Sequence, residues 1–255
     1  MLDKIVESCQ FLLNNFPEAQ DCRDYLDARI EQSSQDNFQF GYFPDLNNIK
    51  VLTNLIGEDT LREEKLFYSK PLEDSFGPRQ ISFSYFDNYP LVMPFRDTYG
   101  KIVAIVGRTL LPDTERQKKK ISKYKNSRES KDFKKGNVLF GLYENKQDII
   151  DQNCVYVVEG QFDVIKAMEK GFRNIVALSN SNMTSYQLSV ISRYTNNIFL
   201  LLDNDEAGEK GRKRIIDKFG HLANIRNFYL PDEYKDIDEY LSQNSYESLS
   251  FVVKD

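Results

Sequence analysis

The chain has 255 residues, 40% of them hydrophobic, which suits one large domain or two small ones with a substantial core. Its net charge of −5 conceals a split: residues 115–135 carry ten Lys/Arg against three Asp/Glu, a local +7 that leaves −12 elsewhere and points to a localised polyanion contact rather than a uniformly basic surface. Cys9, Cys22 and Cys154 are odd in number and far apart, His221 is the lone histidine and no G-x-S-x-G stretch occurs, so a disulfide framework, an internal zinc ribbon and Ser-His-Asp chemistry are excluded.

In chain order, the spacing of Leu2, Ile5, Val6, Cys9, Leu12 and Leu13 predicts an amphipathic helix over 2–14. Pro17 is placed to open a second helix that runs on through Tyr25, Leu26 and Ile30. Residues 38–42 alternate and predict a short strand ending at Pro44, and 47–56 predict a short helix. Three strand-like runs follow at 82–86, 91–95 and 102–107, the last two joined by a turn at Asp97–Gly100. The basic stretch reads as a loop. A helix over 145–151 then leads into strong alternation: strand 155–158, helix 162–170 stopped by Gly171, strand 175–178, helix 184–194, strand 198–202 and helix 206–219. That order predicts an α/β fold, a mostly parallel sheet flanked by helices, preceded by a smaller mixed α+β subdomain. The expected domains are 1–150, with the basic loop 115–135, and 151–255.

Two of these strands end in acid. Val155–Val158 runs into Glu159, Gly160 and Asp163, and 198–202 runs into Asp203, Asp205 and Gly208. Buried parallel strands deliver their carboxyl ends to the edge where open α/β sheets bind ligands. Acids crowded there repel one another, and a divalent cation is the usual reason to tolerate that, although Asp at a helix start can equally be an N-cap. Asp236 and Asp238 form a third pair that, taken alone, reads as a solvated turn before a short helix. The cations of the basic stretch are interrupted by Tyr124, Asn126, Ser127 and Phe133, which suits a phosphate-contacting surface better than a plain linker.

Glu159-Gly160-x-x-Asp163 with Asp203-x-Asp205-x-x-Gly208 resembles the Toprim fold of primases, topoisomerases and some nucleases. Further stretches resemble the catalytic core of bacterial-type DNA primases, in that family's order over about 22–245: Tyr25–Ile30, Phe38–Tyr42, Val92–Asp97 with Gly100–Ala104, Gly107-Arg108, Lys123–Ser127 and Phe133–Glu144. The resemblance implies a DNA primase, a nucleotidyltransferase making short RNA primers on a DNA template. Glu159, Asp203 and Asp205 would be its catalytic carboxylates, and with Asp163, Asp236 and Asp238 its ligands for Mg²⁺ or Mn²⁺. Arg29, Arg108, Lys123, Asn126 and Lys135 would contact nucleotide or template. The partners implied are single-stranded DNA, ribonucleoside triphosphates, a replicative helicase and a separate zinc-binding protein. Two departures stand out: residues 179–184 replace a Gly-Thr pair usual in the family, and Asn88–Leu91 lacks an arginine expected there. The rival readings are a Toprim nuclease and a non-catalytic DNA- or helicase-binding module. With no apolar run of about 18 residues and no basic-then-apolar start, a cytoplasmic address without membrane contact is expected, in a bacterial or phage-infected cell.

Overall fold

The apolar stripe of the first fourteen residues forms α1 (Leu2–Asn15), which buries Ile5, Val6, Cys9, Leu12 and Leu13. In the computed structural model, which describes residues 1–74 and 77–245, the chain divides into two compact units: 1–95 with 102–132, and 96–101 with 133–255. The last ten residues of the expected second domain lie outside the described part.

In the first unit a 3-10 turn at Pro17–Ala19 precedes α2 (Gln20–Asp27). This helix ends three residues short of Ile30. α3 (Gln32–Asn37) occupies a stretch with no apolar periodicity, and Gln39, at φ 49°, then turns the backbone left-handed. The strand expected over 38–42 therefore shrinks to β1 (Gly41–Tyr42). Two short helices, α4 (Ile49–Ile56) and α5 (Glu58–Glu63), lead to the antiparallel pair β2 (Phe67–Asp74) and β3 (Gly77–Ser84). β4 (Leu91–Arg96) and β5 (Ile102–Arg108) follow as expected. The turn between them is closed by Gly100 N–H to Asp97 O at 3.1 Å, with the Asp97 carboxylate accepting from Tyr99 N and Lys101 N.

The basic stretch is not a plain loop. It contains α6 (Asp113–Lys119) and β6 (Tyr124–Asn126), which completes a sheet of order β1-β4-β5-β6. Asp113–Arg116 and Glu115–Lys119 pairs at i,i+3 and i,i+4 steady the helix, and Lys120, in the left-handed region, ends it. A charge pattern with no apolar face hides such a helix from hydrophobic periodicity.

In the second unit a 3-10 turn at Lys135–Asn137 leads to α7 (Leu142–Gln152). Then come β7 (Val155–Val158), α8 (Gln161–Glu169), β8 (Ile175–Ala177), α9 (Ser185–Ile191), β9 (Asn197–Leu200), α10 (Glu206–Phe219), β10 (Asn224–Asn227) and α11 (Ile237–Gln243). The four strands form a wholly parallel sheet of order β10-β9-β7-β8. Val155, Val157, Ile175, Val176, Ile198 and Leu200 are fully buried in its core, as continuous apolar runs in a parallel sheet require. β8 and β9 lie on opposite sides of β7, so the winding reverses there, which is the point where such sheets bind ligands.

Candidate functional site

Because β7 and β9 are adjacent and parallel, with Val157 opposite Leu200, their carboxyl ends share an edge and bring Glu159 beside Asp203. The Asp203 backbone N–H bonds the Glu159 carboxylate, whose Oε1 is buried without a hydrogen-bond partner among the described residues. Burial first, then the charges of Asp203 and Asp205, push Glu159 up to about 7. Asp203 is raised too, chiefly by burial, with the Lys235 ammonium opposing. Asp163 is 7% exposed and accepts the Gly160 N–H at 2.9 Å. Its carboxyl is held well above the usual range by burial and then by Asp236, Asp203 and Asp238. The five acids beyond Glu159 therefore form one electrostatically coupled set with it.

Several of these acids also cap helices. Asp205 Oδ1 accepts from Ala207 N and Gly208 N at the start of α10, and Asp236 Oδ1 accepts from Glu239 N at the start of α11. Capping does not consume the second carboxylate oxygen: Asp205 Oδ2 lies 3.7 Å from Lys235 Nζ, which is 3.4 Å from Asp203 Oδ2. Among the described residues no three His, Cys, Asp or Glu side chains are grouped closely enough to hold a metal ion. The donor chemistry nevertheless suits a hard dication. Mg²⁺ takes carboxylate oxygens, keeps several waters and needs only one or two protein ligands. The orphaned Glu159 oxygen and the cation already lodged between Asp203 and Asp205 both mark where positive charge belongs.

Three supporting residues escaped the sequence. Asn204, between the two aspartates, donates through Nδ2 to Leu230 O (3.1 Å) and Tyr234 O (2.9 Å), and its N–H bonds Lys235 O at 2.7 Å. It thereby ties the 230–235 loop, and with it Asp236, to the Asp203 turn. Arg212, 1% exposed, donates to Leu202 O, to Asp203 O at 3.1 Å and to Glu209 at 3.1 Å, and stacks on Tyr229. Lys235 is the third. A polar residue whose partner is a distant carbonyl leaves no sequence pattern; only the oddity of a charged residue on the inward stripe of α10 signals Arg212.

The first unit gathers most of the sequence-selected cations. Arg108, 7% exposed, lies between the rings of Tyr25 (4.9 Å) and Tyr124 (5.0 Å) and donates to the Tyr124 hydroxyl. Arg29 donates to the Tyr25 hydroxyl, and Lys123 stands 6.0 Å from the Tyr124 ring. Asn126 is in β6, its carbonyl accepting from the Tyr85 hydroxyl. Lys135 belongs to the second unit and is exposed. Beside this group runs an aromatic and cationic ribbon: Tyr68 stacks on Phe83 (5.3 Å, 16°), Lys70 and Arg128 lie over Tyr68, and Arg128 and Lys125 lie over Tyr85.

Acids at the carboxyl edge of this parallel sheet define a Toprim-like domain, and the model of that family matches residues 156–241. The model described as DNA primase catalytic core, N-terminal domain, matches residues 10–146, and the chain belongs to the bacterial-type DNA primase catalytic-core family. A DNA primase of Aquifex aeolicus is 30% identical over 99% of this chain and 48% of its own length, and one of Synechococcus elongatus is 34% identical over 90% and 33%. Among solved structures, the zinc-binding and RNA polymerase domains of the Aquifex aeolicus primase superpose with a TM-score of 0.78 at 28% identity, covering 96% of this chain and 57% of that one. A DnaG primase catalytic domain bound to single-stranded DNA gives 0.75 at 26% identity, covering 96% and 76%. The chain spans about half the length, or less, of these curated relatives. No helix among the described residues is long and apolar enough to cross a membrane.

Proposed function

We propose that the chain carries the catalytic core of a DNA primase and joins ribonucleotides on a single-stranded DNA template. The observation that supports this most is the adjacency of parallel β7 and β9, whose carboxyl ends bring Glu159, Asp203 and Asp205 to one edge of the sheet, with Asp163, Asp236 and Asp238 close enough to act on their charge. Glu159, Asp203 and Asp205 would hold Mg²⁺ or Mn²⁺, with the outer acids completing its surroundings. When bound, the ion would lower the pKa of the primer 3′-hydroxyl and offset charge on the α-phosphate and departing pyrophosphate. This chain's residues supply the rest: Arg212 and Asn204 fix the carbonyls and loop that aim the acids, and Arg29, Arg108, Lys123, Asn126 and Lys135 would grip phosphates of nucleotide and template. A replicative helicase and a separate zinc-binding protein are the partners this reading expects, in a bacterial cytoplasm. The nuclease reading uses the same acids to break a phosphodiester bond, so one assay must score both reactions.

The test is incorporation of labelled ribonucleotides on single-stranded templates with Mg²⁺ or Mn²⁺, beside a cleavage assay on the same strands. Asn caps a helix as well as Asp does, so Asp205→Asn should keep the circular dichroism and melting of the native chain, and Asp203→Asn, a neutral isostere of a half-buried carboxyl, should keep its circular dichroism and melt no lower. Incorporation should fall at least about a hundredfold, a loss on the scale of removing one preorganised charge-stabilising group. Retained incorporation would refute the assignment, and metal-dependent cleavage without incorporation would favour the nuclease.

A further inference from the structure

We propose that Lys235 is the built-in counter-ion of the Asp203–Asp205 pair, a cation that a divalent ion must displace, and that this residue thereby sets the metal affinity of the site. The inference rests on the reading of these acids as metal-binding.

Lys235 Nζ lies between the two carboxylates, 3.4 Å from Asp203 Oδ2 and 3.7 Å from Asp205 Oδ2. Its backbone is anchored on both sides. The N–H donates to Glu239 at 2.8 Å and the carbonyl accepts the Asn204 N–H at 2.7 Å. The side chain is 58% exposed, against 19% for Asp203, so the ammonium reaches the acids from the solvent side on a four-carbon stem. Anchored backbone and mobile head make a tethered cation: it stays within reach of the oxygens yet can swing into water without disturbing the fold. An ammonium and a divalent ion drawn to the same two carboxylates repel each other, so the two cations compete for the pair. The ammonium end of the pair stays in water, which limits its strength and makes it displaceable.

The contrast with Lys210 isolates this role. That residue lies one turn into α10, pairs with Glu206 at 2.5 Å, and carries the same charge without touching either aspartate. Lys235→Gln and Lys210→Gln therefore change net charge equally and differ in what they uncover.

The experiment is Mn²⁺ titration of the full chain at low ionic strength, with free Mn²⁺ read by electron paramagnetic resonance. Lys235→Gln should bind Mn²⁺ about two- to tenfold more tightly than the unaltered chain, the range expected when one water-exposed ammonium with two carboxylate partners is removed from competition. Lys210→Gln should stay within about twofold of it, and Lys235→Arg should retain the competition. Unchanged or weaker binding by Lys235→Gln overturns the proposal, as does equal tightening by Lys210→Gln. Asp203→Asn separates the two levels. If the unaltered chain and Asp203→Asn bind Mn²⁺ alike, the metal reading falls and this inference with it. If Asp203→Asn abolishes binding while Lys235→Gln leaves it unchanged, only the role of Lys235 falls.

Discussion

Glu159 shows what the acidic edge costs the fold. Its carboxyl is raised to about 7 from 4.5, first by burial and then by Asp203 and Asp205. A folded state that holds this proton more tightly than the unfolded chain is stabilised while Glu159 is protonated and loses that stability as pH rises from about 4.5 through about 7. Asp163 and Asp203 are shifted in the same direction and add to the slope. Glu159→Gln fixes the neutral form. In chelator its unfolding free energy should match that of the unaltered chain near pH 4 and exceed it at pH 8 by about 1–2 kcal/mol once partial exposure is allowed for, with a correspondingly higher melting temperature. Added Mn²⁺ should narrow the gap by stabilising only the chain that keeps the carboxylate. Melting curves at the two pH values decide it; a gap independent of pH would show that the carboxyl is solvated. The acid itself was legible in the sequence, as the charged end of a buried apolar run. That it shares an edge with Asp203 and Asp205 was read from two buried apolar runs that both end in acid, but the strand order that sets β7 directly beside β9 is not written in either segment.

Among the elements, those with a periodic apolar face were readable and those without were not. α1, α8, α10 and the four-residue run of β7 follow from spacing alone. α3 and α6, polar throughout, do not, and β2 lies where Lys70 and Pro71 break the apolar run. The start of α10 was read correctly for a reason the sequence only half contains. Asp205 caps the helix, but Gly208 is there because a Cβ at that position would stand 2.0 Å from the Asp203 carbonyl oxygen, a backbone atom with no freedom to yield. Gly208→Ala should therefore push the Asp203 turn away from α10. We expect a loss of about 1–3 kcal/mol in urea unfolding, the usual penalty of overpacking, together with weakened Mn²⁺ binding. Asn204→Ala should cost about 1–2 kcal/mol through its two side-chain hydrogen bonds and loosen the 230–235 loop. Hydrogen exchange over residues 230–238 would register the loosening, and native protection there would contradict the clamp.

Over the whole molecule, charge is partitioned by chemistry: acids converge at the edge of the parallel sheet, while the other unit carries exposed cations set among aromatic rings. Such a ribbon suits single-stranded nucleic acid, since phosphates need cations and unstacked bases need π-faces that do not discriminate sequence. Lys125 is the least free of these cations, its ammonium donating to Tyr85 O at 2.6 Å, so its loss would confuse stability with binding. Arg128 and Lys70 are exposed, and both lie over Tyr68. Each phosphate neutralised on a single strand contributes about 0.7 to the slope of log affinity against log salt. Arg128→Gln with Lys70→Gln should flatten that slope by about 1 to 1.5 and weaken oligodeoxynucleotide binding at low salt, while a native melting temperature shows the fold intact. Fluorescence anisotropy on unstructured strands across a salt series measures both quantities. A slope unchanged in the double variant would mean that these cations serve only the surface they lie on and make no contact with the strand.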